Sequence, residues 1–134
     1  MSNWLAAAGF HGTMAVALGA WSAHGAEATL APAAVEWVKT GSAYQLWHAV
    51  ALLGIAALTV RQPERQSVRL VTISGLAFAL GALLFSGSLY LLALLPSAQG
   101  DGPHMLVYLT PIGGGLLVLG WLMLLLAGLK KGSV

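Results

Sequence analysis

The sequence predicts an all-α integral membrane protein, an antiparallel four-helix bundle with a short surface helix between its first and second spans. Three observations predict it. The 134-residue chain is 58% apolar and only 7% charged, with a mean hydropathy of +0.83, whereas a soluble domain is about a quarter charged. All of its charged residues (Glu27, Glu36, Lys39, Arg61, Glu64, Arg65, Arg69, Asp101, Lys130 and Lys131) lie outside four long apolar runs. Each run approaches the roughly 20 residues that a helix needs to cross a bilayer. The length suits a single membrane domain, residues 1–134, with no separate soluble head.

The first span is read from Trp4 to Ala23. It has no basic lead and exceeds a signal-peptide core in length, so it is expected to stay in the mature protein. Gly25 to Lys39 is a polar connection. Pro32 suits a first helical position, and Ala33 to Lys39 has one apolar and one charged edge. A surface helix is therefore expected there, either separate or continuous with the second span.

The second span, Gly41 to Val60, carries Tyr44, Gln45 and His48 in its first turns and runs into Arg61. Pro63 is expected to break the helix within the charged stretch Arg61 to Arg69. The third span runs from Leu70 to Leu95, before Pro96, and Ser97 to Pro103 is turn chemistry. The fourth is read from Thr110 to Leu129, with Thr110 as N-cap and Pro111 at the first helical position. His104 to Leu109 forms an interfacial lead-in.

Four spans place both termini and the Arg61–Arg69 loop on one side. Arg61, Arg65, Arg69, Lys130 and Lys131 lie there, against Lys39 opposite. The excess of basic residues puts that side in the cytoplasm of a bacterial inner membrane protein. Trp4, Trp21, Trp37, Tyr44, Tyr90 and Tyr108 fall near span ends, as interfacial aromatics do. Small residues recur in every span: Ala8, Gly12, Ala15, Gly19 and Ser22; Ser42, Ala49 and Ala56, with Gln45; Gly75, Ala79, Ala82, Ser86 and Ala93; Gly113, Gly120 and Ala127. Lipid gives helices no hydrophobic reason to associate, so these stripes are expected to be the contact faces. The remaining lipid-facing surface makes a homo-oligomer the expected state.

Polar residues at membrane depth are expensive and mark the candidate site. His48 lies about 10 Å below Gly41 at 1.5 Å per residue, with Tyr44 and Gln45 about a turn back. The favoured role for His48 is a neutral cross-link between helices, with Gln45 assisting. The competing one is a proton-responsive or ligand-holding site. Ser86, Ser88 and Tyr90 form a second polar island in the outer half of the third span. By depth alone, Ser86, Tyr90, Tyr44, Gln45 and His48 would line one small cavity open to the outside. His11 lies nearer mid-membrane and needs a partner in the bundle. His24 falls at an interface, and His104 is expected in water.

Four histidines in a membrane bundle raise haem ligation. His24 and His48 differ by about 10 Å in depth, however. No His-x-x-x-His or Glu-x-x-His spacing occurs, so no cofactor and no metal are expected. The chain has no cysteine, which excludes thiolate metal sites and thiol nucleophiles. There is no Gly-x-Ser-x-Gly elbow and no acid–histidine pair for a serine nucleophile. The small basic excess forms no stripe that follows phosphates, so no nucleic acid is expected.

Several segments together resemble a family of small membrane proteins known as domain of unknown function 423. They are Leu18-Gly19-Ala20 through Ala23-His24-Gly25, Thr40-Gly41 with Tyr44-Gln45 and His48-Ala49, Phe85 to Tyr90, and Thr110 to Gly114 with Gly120-Trp121. They occur in the expected order over nearly the whole chain, and Trp21-Ser22 departs from the expected pair. The resemblance implies a four-span membrane protein without an assigned activity. It also implies that His24, Tyr44, Gln45, His48, Ser86 and Ser88 matter as a group. The expected function is a non-enzymatic structural or accessory bundle that self-associates in the lipid bilayer, alone or with a membrane partner protein. The alternative is an oligomeric conduit or carrier for protons or a small neutral solute. An enzyme acting on lipids or quinones ranks third.

Overall fold

The computed structural model describes residues 2–61, 65–95 and 105–129. They form four helices, α1 (Ser2–His24), α2 (Pro32–Arg61), α3 (Arg65–Leu94) and α4 (Met105–Leu129), with a 3-10 turn at Ala26–Ala28. No strand occurs among the described residues. Three stretches are long and apolar enough to cross a membrane: Pro32–Val60, Val68–Leu94 and Met105–Leu129. The shortest, 25 residues, extends about 37 Å against roughly 30 Å of hydrocarbon. α1 is not among them, because Asn3, His11, Ser22, His24 and its glycines lower its hydropathy.

The expected antiparallel bundle is the fold. Gly12 faces Ala49 and Gly19 faces Ser42, so α1 and α2 run oppositely. Gly41 meets Tyr90 while Gly75 meets Ile55, which reverses α3 against α2. Gly113 meets Phe85 while Gly120 meets Phe78, which reverses α4 against α3. The expected small-residue stripes lie at these contacts: Ala8, Ala15, Ala49, Ala56, Ala82 and Ala93 are all buried. One core cluster joins all four helices through Ala8, Leu52, Ile55, Val71, Phe78, Ala82 and Leu117. A second, around Ala34, Val38, Tyr90 and Ala93, ties the α1–α2 connection to α3. α2 and α3 are central, and α4 packs almost wholly on α3 with only Gly113, Leu117 and Gly120 buried.

Helix ends differ from the sequence reading in an informative way. The surface helix is the beginning of α2: Pro32 starts a helix that continues through Gly41 to Arg61. Val35 N–H donates to the Ala31 carbonyl at 3.1 Å, closing its first turn. Thr110 is not an N-cap and Pro111 is not a first position, because α4 already begins at Met105. Proline removes one backbone donor, but in lipid every other backbone group gains from staying helical, and neighbouring helices tolerate the lost bond. The Thr110 hydroxyl turns sideways instead and pairs with Ser88 Oγ at 2.7 Å. The break expected at Pro63, the turn at 97–103 and His104 lie outside the described residues.

Candidate functional site

The polar residues expected to share one cavity divide into separately bonded groups. Gln45 and His48 are three positions apart on α2, about 60° around the helix, and that angle sends them to different neighbours. Gln45 points between α1 and α3, where it is 2% exposed. Its carboxamide oxygen accepts from the Tyr90 hydroxyl at 2.7 Å. Its Nε2 lies 3.1 Å from His11 Nδ1. An amide nitrogen only donates, so His11 Nδ1 accepts and the ring proton sits on Nε2. The Ala79 backbone acts on the same ring from α3. The chain Tyr90 → Gln45 → His11 therefore runs from α3 through α2 to α1.

His48 takes the other side. Its Nδ1 lies 2.7 Å from the Tyr44 carbonyl, one turn back. A carbonyl only accepts, so Nδ1 carries the proton. The Trp121 indole donates to His48 Nε2 at 3.2 Å. Both ring nitrogens are thus engaged in the neutral Nδ1–H form. Aromatic rings surround this bond, with Phe78 centred 5.3 Å from His48 and 4.9 Å from Trp121. Tyr44 contributes ring contacts to His48 and Phe85, not its hydroxyl, and is 37% exposed.

The serine island also splits. Ser88 Oγ donates to the Phe85 carbonyl at 2.9 Å, in the usual back-bond of a helix serine, and pairs with Thr110 on α4. Ser86 is wholly buried, and its hydroxyl has no hydrogen-bond partner among the described residues; Ser74 on the same helix is in the same condition. His24 is exposed at the end of α1, away from both groups. Among the described residues no three His, Cys, Asp or Glu side chains converge to hold a metal.

Sequence reasoning left His11, Trp121 and Thr110 out of the candidate set. The signal for His11 was present: it shares a helix face with Ala8 and Ala15, in the very stripe read as a contact face. Trp121 follows Gly120, another contact position, and Thr110 was discounted as a cap.

The comparisons with known proteins lead to membrane proteins. A family described as "Protein of unknown function (DUF423)" matches residues 18–114. The chain belongs to this family. The matched stretch contains Gln45, His48, Ser86, Ser88, Tyr90 and Thr110 and stops short of Trp121. A "UPF0382 membrane protein" of Haemophilus influenzae is 37% identical over 99% of this chain and 98% of its own length. The "UPF0382 inner membrane protein YgdD" of Escherichia coli is 36% identical over 92% of this chain and 86% of its own. The "UPF0382 membrane protein YwdK" of Bacillus subtilis is 32% identical over 87% and 88% respectively. No solved structure matches the chain. With its apolar helices and these relatives, the DUF423 chain is an integral membrane protein.

Proposed function

We propose that this DUF423 protein is a non-enzymatic accessory bundle of the inner membrane that self-associates within the bilayer. The observation that carries the reading is that its buried polar side chains mostly engage one another or the backbone. The Tyr90–Gln45–His11 chain links α3, α2 and α1 through side chains that bond one another. His48 is held at both nitrogens. A network of this kind fixes how helices pack and leaves no group poised for a substrate. It equally gives the conduit alternative no continuous path.

Self-association is supported by the outward faces. On α1 the exposed positions include Ala6, Gly9, Thr13, Ala17 and Ala20, small residues that allow close backbone approach. Covering that face with a second copy brings small residues of both chains into contact. All four helices cross in this reading, with both termini in the cytoplasm, as the basic residues require.

Native mass spectrometry of the gently solubilised chain tests the proposal: a single homo-oligomer is expected. A strictly monomeric protein, or one that turns over a retained lipid or quinone, overturns it. Topology is tested separately. The chain lacks cysteine, so a Thr29→Cys variant should react with a membrane-impermeant thiol reagent from the periplasm. A fluorescent reporter at the C-terminus should light up in the cytoplasm.

A further inference from the structure

The structure has a cavity of about 230 Å³ between the 3-10 turn and the first two turns of α2. Glu27, Leu30, Pro32, Val35, Glu36 and Lys39 line it. Its depth in the membrane follows from length. α2 has 30 residues, about 45 Å, and hydrocarbon takes up roughly 30 Å of that. The charged residues Glu36 and Lys39 put the surplus at the N-terminal end, so these first turns stand in the headgroup layer. Trp21 and Trp37 pack just beneath, around Ala34 and Val38, where interfacial indoles belong.

The charges in the cavity select among occupants. Lys39 Nζ is tied to Glu36 Oε1 at 2.8 Å. Glu27 is exposed at the cavity; no hydrogen bond or ion pair among the described residues holds its carboxylate, although its charge acts on Lys39. Two carboxylates and one ammonium leave a net charge of −1, which repels an anionic headgroup. Two carboxylates are also too few for a divalent cation, which takes six or more oxygen ligands. What fits is a cation carried beside an anion: an ammonium against Glu27, its phosphate near Lys39, and glycerol and acyl carbons along Leu30, Pro32 and Val35. The volume suits a small group, being about that of seven or eight water molecules.

We propose that this cavity binds the headgroup of a zwitterionic aminophospholipid, with Glu27 receiving the primary ammonium and Lys39 facing the phosphate. The site is independent of the self-associating bundle proposed above and needs only that the chain sits in a bilayer.

The test is lipid retention by the full chain in native mass spectrometry, after purification with equal amounts of phosphatidylethanolamine and phosphatidylglycerol. At least a threefold preference for phosphatidylethanolamine is expected, reduced to near parity by Glu27→Gln and preserved by Glu27→Asp. Thermal midpoints of both variants should stay close to the parent's, because the exposed Glu27 side chain makes no hydrogen bond or ion pair among the described residues. Phosphatidylcholine, whose trimethylated nitrogen has no N–H, should be retained less than phosphatidylethanolamine. A preference for the anionic lipid, equal retention of phosphatidylcholine, or a phosphatidylethanolamine preference that survives Glu27→Gln would overturn the assignment.

Discussion

Replacing Gly113 by alanine should destabilise the fold far more than the same change two residues on. A methyl group on Gly113 would stand 2.8 Å from Phe85 Cα and 2.9 Å from the Gly81 carbonyl oxygen, with the Phe85 backbone nitrogen also in its way. These are backbone atoms of α3, which cannot swing aside as a side chain can. Carbon atoms rest about 3.5–4.0 Å apart, so the two helices must part by roughly 1 Å, a gap that already forfeits a quarter to a half of each dispersion contact. Overpacking of this kind costs about 1–3 kcal/mol. The separation also strains the only polar links of α4 to the rest of the chain among the described residues, Thr110–Ser88 at 2.7 Å and Trp121–His48 at 3.2 Å. Gly115, by contrast, has nothing within 4 Å of its would-be Cβ. Alanine there should be neutral, or stabilising by up to about 1 kcal/mol through helix propensity. Reversible unfolding in mixed micelles, followed by tryptophan fluorescence, measures both variants. If Gly113→Ala proves as stable as Gly115→Ala, the close α3–α4 approach does not exist in the membrane.

Gln45→Leu removes the acceptor of Tyr90 and the donor to His11 at once. It should cost about 1–3 kcal/mol, while Gln45→Leu with Tyr90→Phe should cost clearly less than the sum of the two, a non-additivity that a double-mutant cycle reads directly. Trp121→Phe keeps the ring stack on Phe78 but deletes the indole donor to His48; a loss of about 0.5–1.5 kcal/mol is expected, and it should vanish in a His48→Phe background. The serines should behave oppositely. Ser86→Ala removes a buried hydroxyl that bonds nothing and should be neutral or stabilising, whereas Ser88→Ala should cost about 1 kcal/mol by the same unfolding assay.

The class of fold was legible because lipid is a simple constraint: runs of about 20 apolar residues and excluded charges define spans almost alone. The contact faces were legible too, since close helix approach needs small residues, and the Gly12–Ala49 and Gly19–Ser42 pairs lie on the stripes that the spacing picks out. Helix ends were not. α2 starts nine residues before the apolar run at Gly41, and α4 starts before Thr110, because a helix does not stop where hydrophobicity does. The candidate site was half legible. Depth identified Gln45, His48 and Tyr90 as costly residues needing partners. Depth is one coordinate, however, and the partner of each depends on rotation. The 60° between Gln45 and His48 separates α1 from α4 as neighbours, and nothing local in the sequence states which helix lies where. Pairing Gln45 with His11, 34 residues away, required the assembled bundle.

The direction of the Tyr90–Gln45–His11 chain bears on what such groups are for. A carboxamide offers its acceptor at one atom and its donors at another, so with the ring proton on Nε2, exchanging its two partners would set the amide oxygen against the acceptor Nδ1 of His11. α1, α2 and α3 can therefore satisfy the chain in one register; sliding any of them by a residue moves its side chains about 1.5 Å along and 100° around the axis and breaks at least one bond. Small-residue packing alone does not supply that discrimination, because a stripe of alanines and glycines is nearly the same after a shift of one repeat. In water, burial of large apolar side chains would choose the register, but here both the interior and the surroundings are apolar. A few buried polar residues then carry the specificity, much as one buried asparagine does in a coiled coil. On this view His11, Gln45 and Tyr90 are costly residues whose function is to choose one packing among several of similar energy.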